Sequence, residues 1–177
     1  MTTYVAVLYS IILPAGQRLN MVDLRQLAEG LGLRSVRTHG ASGNLIFESK
    51  RQKATLEKML EDAYEARFNK RVDIMVRTAD EWRKLVAGNP FPEESKSHSS
   101  LVAVRIMRDR IPEANVKALA ALCEGGEKVA IIDGDFWGYF AKGSAGSKLL
   151  RAAAREKQGI GTLRNANVVA TIARLLG

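Results

Sequence analysis

Apolar residues in the first half of the chain alternate between short β-prone runs and stretches with helical spacing. Tyr4 to Tyr9 is a continuous run of the kind found in a central strand that is covered on both faces. A helix is predicted from Met21, and Gly32 is well placed to end it. The apolar positions of this helix are Leu24, Leu27, Ala28 and Leu31.

The stretch from Ser35 to Ser49 predicts a β-hairpin, around which the first half is organised. Val36 and Thr38 alternate with polar residues, and Leu45 to Phe47 is a β-prone apolar run. Between them, Gly43-Asn44 supplies turn residues that tolerate positive φ. A hairpin of this length needs a sheet neighbour or a helix over its apolar face, so the flanking segments are expected to cover it.

A second helix is predicted from Gln52 to Arg67, followed by a strand from Val72 to Val76. The predicted buried face of the helix is Leu56, Met59, Leu60, Ala63 and Arg67. The resulting order, β-α-β-β-α-β, is that of the ferredoxin-like sandwich, whose connections place the first strand and the Leu45 strand side by side in the centre. A short helix from Thr78 to Val86 follows.

The second half repeats part of this pattern. Residues 89–99, with two prolines and several small polar residues, predict a linker between one subdomain at 1–88 and another at 100–177. The elements predicted beyond it are a strand at Leu101–Met107, a helix after Pro112, strands at Val129–Ile132 and Phe136–Phe140, and helices at Ser147–Glu156 and Asn165–Leu176. Asp133-Gly134 is a strong turn signal between the paired strands. No fourth strand is predicted, so this smaller subdomain reads β-α-β-β-α-α in a chain of the α+β class.

Charge is distributed unevenly. The 27 basic and 19 acidic residues give a net charge of +8, which favours anionic partners. From Lys142 to the end there are seven basic residues and one acid, Glu156, a local net charge of +6. The basic residues of this stretch are Lys142, Lys148, Arg151, Arg155, Lys157, Arg164 and Arg174. A basic C-terminal surface is therefore predicted.

The cysteine content and the hydropathy indicate the cellular compartment of the protein. One cysteine, Cys123, can form no internal disulfide and no paired Cys-x-x-Cys metal site, so a reducing compartment is expected. The N-terminal apolar run lacks the basic region and cleavage site of a signal peptide, and no apolar run approaches the roughly 18 residues that span a bilayer. A cytoplasmic protein without metal, cofactor or membrane partner is predicted.

No complete catalytic set is found. Ser42 lacks the second glycine of a nucleophile elbow, because Asn44 fills that position. His39 and His98 are the only histidines; His98 lies in the predicted linker, and His39 is poorly placed on the hairpin for a catalytic triad. No catalytic residue is predicted.

Two segments suggest anion binding. The turn Gly143 to Lys148 has the wrong spacing for a Walker A motif, but free N–H groups at a helix start and Lys148 could hold a simple anion; otherwise Ser147 merely caps the helix. In Gly161 to Asn165, Thr162 or Asn165 can cap the last helix. Arg164 beside that positive helix end is unfavourable without an anion or a carboxylate nearby.

That partner of Arg164 is expected near the Ser42-Gly43-Asn44 turn or the Asp133-Gly134 turn. It is either an external anion or an internal acid such as Asp133 or Asp135.

Aromatic residues alternate along the strand at Phe136–Phe140. Trp137 and Tyr139 face one way, and Phe136, Gly138 and Phe140 the other. Exposed aromatics beside basic residues would suggest stacking on a single-stranded nucleic acid, yet the ribonucleoprotein sequence is absent. Packing between the subdomains is the alternative explanation.

Several motifs, taken in order, resemble the bacterial family known as domain of unknown function 1697. They are Val36-Arg37-Thr38, Ser42-Gly43-Asn44 with Phe47, Asn89-Pro90-Phe91-Pro92, and Thr162-Leu163-Arg164-Asn165 with Asn167. The resemblance implies an α+β protein with two subdomains and brings no established activity.

The chain departs from that family's pattern in two places. Tyr9, Ser10, Ile11 and Ile12 stand where an arginine, a glycine, an isoleucine and an asparagine are usual, and Pro14 and Ala15 replace a glycine pair. Ala166 and Val168 replace a tryptophan and a threonine. Any site that those family residues form is altered in this chain.

Two functional hypotheses follow. The first is a non-catalytic binding module whose basic C-terminal surface engages a phosphate-bearing ligand or a nucleic acid. The second is an enzyme acting on a small anionic substrate in a cleft between the two subdomains. The predicted ligand-binding residues are Arg37, Ser42, Asn44, Lys148, Thr162, Arg164 and Asn165.

Overall fold

The structure, a computed structural model, describes residues 1–177 and confirms the α+β class. Its strands are β1 (Thr2–Leu8), β2 (Arg34–Thr38), β3 (Asn44–Ser49), β4 (Ile74–Thr78), β5 (Val102–Met107), β6 (Lys128–Ile132), β7 (Asp135–Tyr139) and β8 (Gly161–Asn165). Its helices are α1 (Met21–Gly30), α2 (Lys53–Phe68), α3 (Ala79–Ala87), α4 (Pro92–His98), α5 (Asn115–Ala120), α6 (Lys148–Ala153) and α7 (Ala166–Leu175). The chain forms two compact units. The first unit is Met1–Arg83 with Ile172–Gly177, and the second unit is Lys84–Thr171.

The sheet of the first unit has the strand order β2-β3-β1-β4, with every neighbouring pair antiparallel. This is the predicted ferredoxin-like order, and β1 and β3 occupy the centre as expected. Tyr4, Ala6 and Leu8 of β1 pack into one buried cluster with Leu45 and Phe47 of β3. The same cluster includes side chains of α1 and α2, which supply the cover that the hairpin requires.

The turn of the first hairpin differs from the prediction at one residue. Gly40 and Gly43 take the positive φ values, 64° and 80°, whereas Asn44 is the first residue of β3 and is fully buried. The Asn44 side-chain amide donates to the His39 carbonyl at 2.9 Å and to the Ser42 hydroxyl at 3.0 Å. Asn44 therefore closes the turn through its side chain rather than through its backbone conformation.

The buried face of α2 is also rotated from the predicted one. Leu56 and Leu60 are buried as expected, but Glu61 and Tyr64 complete the face, while Met59 and Ala63 are only partly covered and Arg67 is exposed. Tyr64 makes a ring contact with Phe68, with centroids 4.7 Å apart. The buried ring of Tyr64, one turn beyond Leu60, therefore belongs to the face of α2 that packs into the core.

Residues 89–99, predicted as a linker, contain helix α4 and lie within the second unit. Pro92 occupies the first turn of α4, where proline is favoured because that turn leaves backbone N–H groups without helical partners. Asn89 accepts from the Phe91 amide at 2.9 Å and donates to the Ser95 hydroxyl at 2.7 Å. The proline and the small polar residues therefore begin a helix here instead of forming an extended connection.

The sheet of the second unit has the order β6-β7-β5-β8, which repeats the order of the first. The prediction of β-α-β-β-α-α was wrong, because Gly161–Asn165 forms a fourth strand paired with β5. This segment has one strongly apolar residue, Leu163, so its strand pattern is weak by itself. Pairing with the fully buried strand β5 overrides that weak local preference.

The second hairpin forms as predicted. Asp133 and Gly134 have φ values of 51° and 85°, and they connect β6 to β7 in a two-residue turn. Phe136 and Phe140 pack into the buried cluster of the second unit. Trp137, on the opposite face of β7, is 1% exposed and is therefore no open stacking platform.

None of the helices combines the length and the apolar character required to cross a membrane.

Candidate functional site

The residues predicted from the first unit lie at its hairpin. Ser42 and Asn44 are brought together by the hydrogen bond that closes the turn. Arg37 lies on β2, the edge strand, with its side chain exposed. Its guanidinium donates to the Leu175 carbonyl at 3.1 Å near the end of α7. A cation at the C-terminal end of a helix stabilises the free carbonyls there. The hydrogen bond to Leu175 therefore gives Arg37 a structural role.

Thr162 and Arg164 are also brought together, in the segment directly before α7, which forms strand β8. They lie two residues apart on β8 and point to the same face of the strand, where both are buried. The Arg164 guanidinium donates to the Thr162 hydroxyl at 3.0 Å and to the Leu163 carbonyl at 2.9 Å. Burial lowers the pKa of Arg164 to about 10, so the side chain remains charged at neutral pH.

Asn165 and Lys148 occupy the starts of two helices. Asn165 accepts from the Val168 amide at 2.9 Å, which confirms the predicted cap of α7. Ser147 caps α6 by accepting from the Leu150 amide at 3.1 Å. The ammonium of Lys148 lies 2.7 Å from the Glu124 carboxylate. That ion pair neutralises the cation that was expected to meet an anion at this turn.

A depression of about 270 Å³ in the second unit gathers the C-terminal basic residues differently. It lies between α5 and the segment that follows α6. Its polar residues are Asn115, Arg155, Lys157 and Gln158, and its apolar residues are Ala118, Leu119, Leu122 and Ala152. We call it the α5–α6 depression.

The polar groups of the α5–α6 depression leave donors available. The Asn115 amide nitrogen donates to the Gln158 side-chain oxygen at 3.0 Å, which leaves the Gln158 amide nitrogen free to donate. Arg155 and Lys157 make no ion pair, and no carboxylate lines the depression. Two cations and an amide donor therefore face a concave, partly apolar surface.

The turn that carries Lys157 and Gln158 is anchored from the core. It is a single 3₁₀ turn in which the Gln158 amide donates to the Arg155 carbonyl and the Gly159 amide to the Glu156 carbonyl, each at 2.9 Å. Arg105, a buried residue of β5, donates to the Gly159 carbonyl at 3.1 Å. This contact fixes the backbone beside the depression and pre-organises its polar rim.

Arg155 and Lys157 belong to the basic C-terminal stretch, but neither they nor Asn115 were among the site residues predicted from the sequence. The signal in the sequence was two cations just after a helix, separated by one acid, Glu156. That pattern alone is typical of a solvated surface. Only the packing of α5 beside α6 shows that the two cations border a depression.

Other chemistry is limited. No group of three or more histidine, cysteine, aspartate or glutamate residues is arranged to hold a metal ion. Burial, with the nearby charge of Glu127, raises the pKa of the Cys123 thiol above its ordinary value of 9.0. The thiol is therefore protonated at neutral pH and is a weak nucleophile.

Comparison with known proteins extends the fold assignment. The chain is similar to a solved structure, that of the conserved bacterial protein SP0830 from Streptococcus pneumoniae, with a TM-score of 0.76 and 20% sequence identity over 99% of each chain. At this identity the similarity shows the fold alone. No curated protein matches the sequence.

The family comparison agrees with the motifs found in the sequence. The model of a family described as "Protein of unknown function (DUF1697)" matches residues 1–137. This range includes the Ser42-Gly43-Asn44 turn and the Asn89 to Pro92 segment, and it ends before Thr162 to Asn165. The match confirms the predicted family: the chain belongs to the proteins of unknown function DUF1697.

Proposed function

We propose that the protein is a non-catalytic binding module for a phosphate-bearing ligand, which it holds in the α5–α6 depression. One observation is the basis of this proposal: Arg155 and Lys157 border the depression without any carboxylate partner. Two like charges held near each other repel, and an anion between them removes that repulsion. Arginine and lysine are also the side chains that proteins most often use to bind phosphate.

The shape of the depression favours a small ligand. A volume of about 270 Å³ is slightly below the range of roughly 300–1,000 Å³ that is usual for drug-sized compounds. The side chains of Leu119 and Leu122 offer an apolar surface, and the Gln158 amide offers a further donor. A phosphate monoester with a compact, partly apolar body satisfies all three kinds of group.

The proposed site differs from the one predicted from the sequence in its position but not in its anion-binding chemistry. The basic C-terminal stretch remains the source of the charge, with Arg155 and Lys157 in place of Lys148 and Arg164 as the ligand contacts. Thr162 and Arg164 are buried on β8, and Lys148 pairs with Glu124. Asn165 serves as the cap of α7.

The test is calorimetric titration with propyl phosphate and with short single- and double-stranded oligonucleotides over a salt series. The double substitution Arg155→Gln with Lys157→Gln should weaken binding of propyl phosphate by about tenfold or more, because each lost charge-assisted hydrogen bond contributes roughly 1.5 to 3 kcal/mol. The matched control is Lys148→Gln with Arg151→Gln, which makes the same change in net charge outside the depression. Equal losses in the two double variants would show that net charge alone attracts the ligand.

The salt series separates a small ligand from a nucleic acid. A small phosphate ester has no condensed counterion layer to release, so its affinity should depend only weakly on salt, whereas neutralisation of six nucleic-acid phosphates gives a slope of roughly −5 in log K against log salt. Oligonucleotide binding with the steeper slope would indicate a wider basic surface than the α5–α6 depression. Turnover of any bound phosphate ester would contradict the non-catalytic part of the proposal.

A further inference from the structure

A second depression lies in the first unit, at the end of the sheet opposite the hairpin turn. Its volume is about 290 Å³, and it is lined mainly by Gly32, Arg34, Glu48, Ser49, Lys50 and Arg51. These residues come from the turn between α1 and β2, the first residue of β2, the end of β3 and the turn that leads to α2. We call it the β3-end depression, and it shares no residue with the α5–α6 depression.

The charges in this depression are unbalanced. Arg34, Lys50 and Arg51 make no ion pair, although Arg34 lies directly opposite Glu48 on the neighbouring strand. Glu48 instead accepts from the Ser35 hydroxyl through its Oε2 atom, at 3.1 Å. Three cations therefore share a concave surface with one carboxylate, and the other oxygen of that carboxylate, Oε1, remains available as an acceptor.

The backbone that carries these cations is fixed by buried groups. The Ser49 hydroxyl, in a residue only 4% exposed, accepts from the Arg51 amide at 3.1 Å. The Tyr4 hydroxyl donates to the Arg51 carbonyl at 2.9 Å from a largely buried ring. Both contacts tie the turn at Lys50 and Arg51 to the core of the first unit, so the cations project from a rigid base.

An irregularity in β2 positions the remaining cation. The pairing register between β2 and β3 shifts between Arg34 and Arg37, and Ser35 has a φ of 50° within this interval. Irregularities of this kind bend a strand and redirect its side chains. Here the shift leaves Ser35 bonded to Glu48 and leaves Arg34 without an acid partner.

We propose that the β3-end depression binds a small phosphate ester that carries a hydroxyl group next to the phosphate. Arg34, Lys50 and Arg51 would contact the phosphate oxygens, because together they provide a net positive field with several donors. The free Oε1 atom of Glu48 accepts a hydrogen bond from the neighbouring hydroxyl of the ligand. All of these contacts come from residues of the first unit, so they do not depend on the site in the second unit.

The test is a nuclear magnetic resonance titration of the whole chain with glycerol 3-phosphate, in which the amide signals of Gly32, Lys50 and Arg51 are followed. We expect saturable shifts with a Kd on the order of 1 mM or lower. Arg34→Gln with Lys50→Gln should weaken binding by about tenfold or more. The control Arg25→Gln with Lys58→Gln, which changes the net charge equally at two exposed, ion-paired helix positions, should change it by less than about twofold.

The Glu48→Ala variant, which removes the acceptor as well as the charge, tests the hydroxyl contact. It removes the only carboxylate of the depression, so inorganic phosphate should bind more tightly, while the affinity for glycerol 3-phosphate should rise less or fall. Equal changes for both ligands would overturn the hydroxyl contact, and unsaturable shifts would overturn the site. The Arg155→Gln, Lys157→Gln variant should leave these first-unit shifts unchanged, which separates this inference from the proposed function.

Discussion

The two units share one strand order but differ at matching positions. Leu8 and Met107 end the central strands β1 and β5, and each pairs with the first residue of the fourth strand, Ile74 or Gly161. Counting from these pairs, Gly43 corresponds to Gly134, Asn44 to Asp135, and Thr78 to Asn165. The correspondence shows which contacts the topology requires and which each unit makes for itself.

The end of the central strand illustrates the difference. In the first unit the Leu8 amide donates to the Gly43 carbonyl at 2.9 Å. In the second unit the Met107 amide donates to the Asp135 carboxylate at 2.7 Å. Both arrangements give an acceptor to the matching backbone amide, because a buried amide needs a hydrogen-bond partner. In the longer turn of the first unit the acceptor is a backbone carbonyl, and in the two-residue turn of the second unit it is a side-chain carboxylate.

The depressions beside the helices differ in the same way. In the first unit, a wide and shallow depression along α2 is lined by Leu31, Met59 and Ala63, and its two charged residues, Lys58 and Asp62, pair with each other at 2.7 Å. In the second unit the α5–α6 depression has two cations and no acid. The same architecture therefore provides an apolar, neutral surface in one unit and a polar, basic surface in the other.

The largest loss of stability is expected when a methyl group is added at the matching glycines, Gly43 and Gly134. A Cβ at Gly134 would lie 2.5 Å from Arg110 Cβ and 2.8 Å from Arg110 Cα, at a φ of +85°. A Cβ at Gly43 would lie 2.9 Å from Ile11 Cγ2 and 3.0 Å from Leu8 Cβ, at a φ of +80°. Gly134→Ala should lower the free energy of unfolding by about 2 to 5 kcal/mol, and Gly43→Ala by less, because a side-chain methyl moves more easily than backbone.

Urea denaturation of both glycine variants measures this difference. If Gly43→Ala proved more destabilising than Gly134→Ala, the close approach of the added Cβ to the Arg110 backbone would not determine the loss of stability. A serine at each position is a second check, because it brings the same Cβ and should reproduce the order.

A smaller loss of stability is expected when a side chain of α2 that binds the backbone of β4 is removed. Glu61 and Glu57 of α2 accept from the Ile74 and Val76 amides at 2.9 and 3.0 Å. Helix α6 of the second unit has six residues, against the sixteen of α2. Glu61→Ala should cost about 1 to 3 kcal/mol, because it leaves a buried amide without its acceptor.

Glu61→Gln keeps an acceptor oxygen and should recover most of that loss. The exposed neighbour Glu65 provides the control, since its pair with Arg71 at 3.5 Å is a surface contact and Glu65→Ala should change stability by less than about 1 kcal/mol. A Glu61→Ala variant as stable as this control would show that the β4 edge does not depend on the carboxylate.

The smallest loss of stability is expected when the N-terminal cap is removed from the helix that follows the fourth strand of each unit. Thr78 and Glu81 cap α3 reciprocally: the Thr78 amide donates to Glu81 at 2.9 Å and the Glu81 amide to the Thr78 hydroxyl at 3.1 Å. In α7, Asn165 accepts from the Val168 amide, but the valine side chain cannot return the bond. Thr78→Ala should therefore cost about 1 kcal/mol.

Glu81 also makes the α3 cap dependent on pH. Burial raises the pKa of Glu81, but hydrogen bonds from Lys53 and from the Thr78 amide outweigh it, so the pKa lies below its ordinary value of 4.5. Because the folded pKa is the lower one, the contribution of Glu81 is present above about pH 4.5 and is lost as the pH falls through the folded pKa. The stability difference between the wild type and Glu81→Gln should shrink on acidification; a difference independent of pH would contradict this.

Much of the fold could be predicted from local patterns. The apolar run of β1, the spacing of α1 and the turn residues Asp133 and Gly134 each indicate one structure, and the structure contains it. The β8 strand could not be found in this way, since Leu163 is its one strongly apolar side chain. Its strand conformation depends on hydrogen bonds to β5, a partner more than fifty residues away in the sequence.

The candidate sites show the same division. The α+β class, the ferredoxin-like order of the first unit and the excess of positive charge near the C-terminus follow from composition, period and turn chemistry. The family follows from the resemblance of its motifs. Which of the cations have acid partners depends on the tertiary structure. Lys148 pairs with Glu124, whereas Arg155 and Lys157 pair with none. Ion pairing depends on distances of about 4 Å between residues far apart in the sequence, and those distances are set by packing rather than by local pattern.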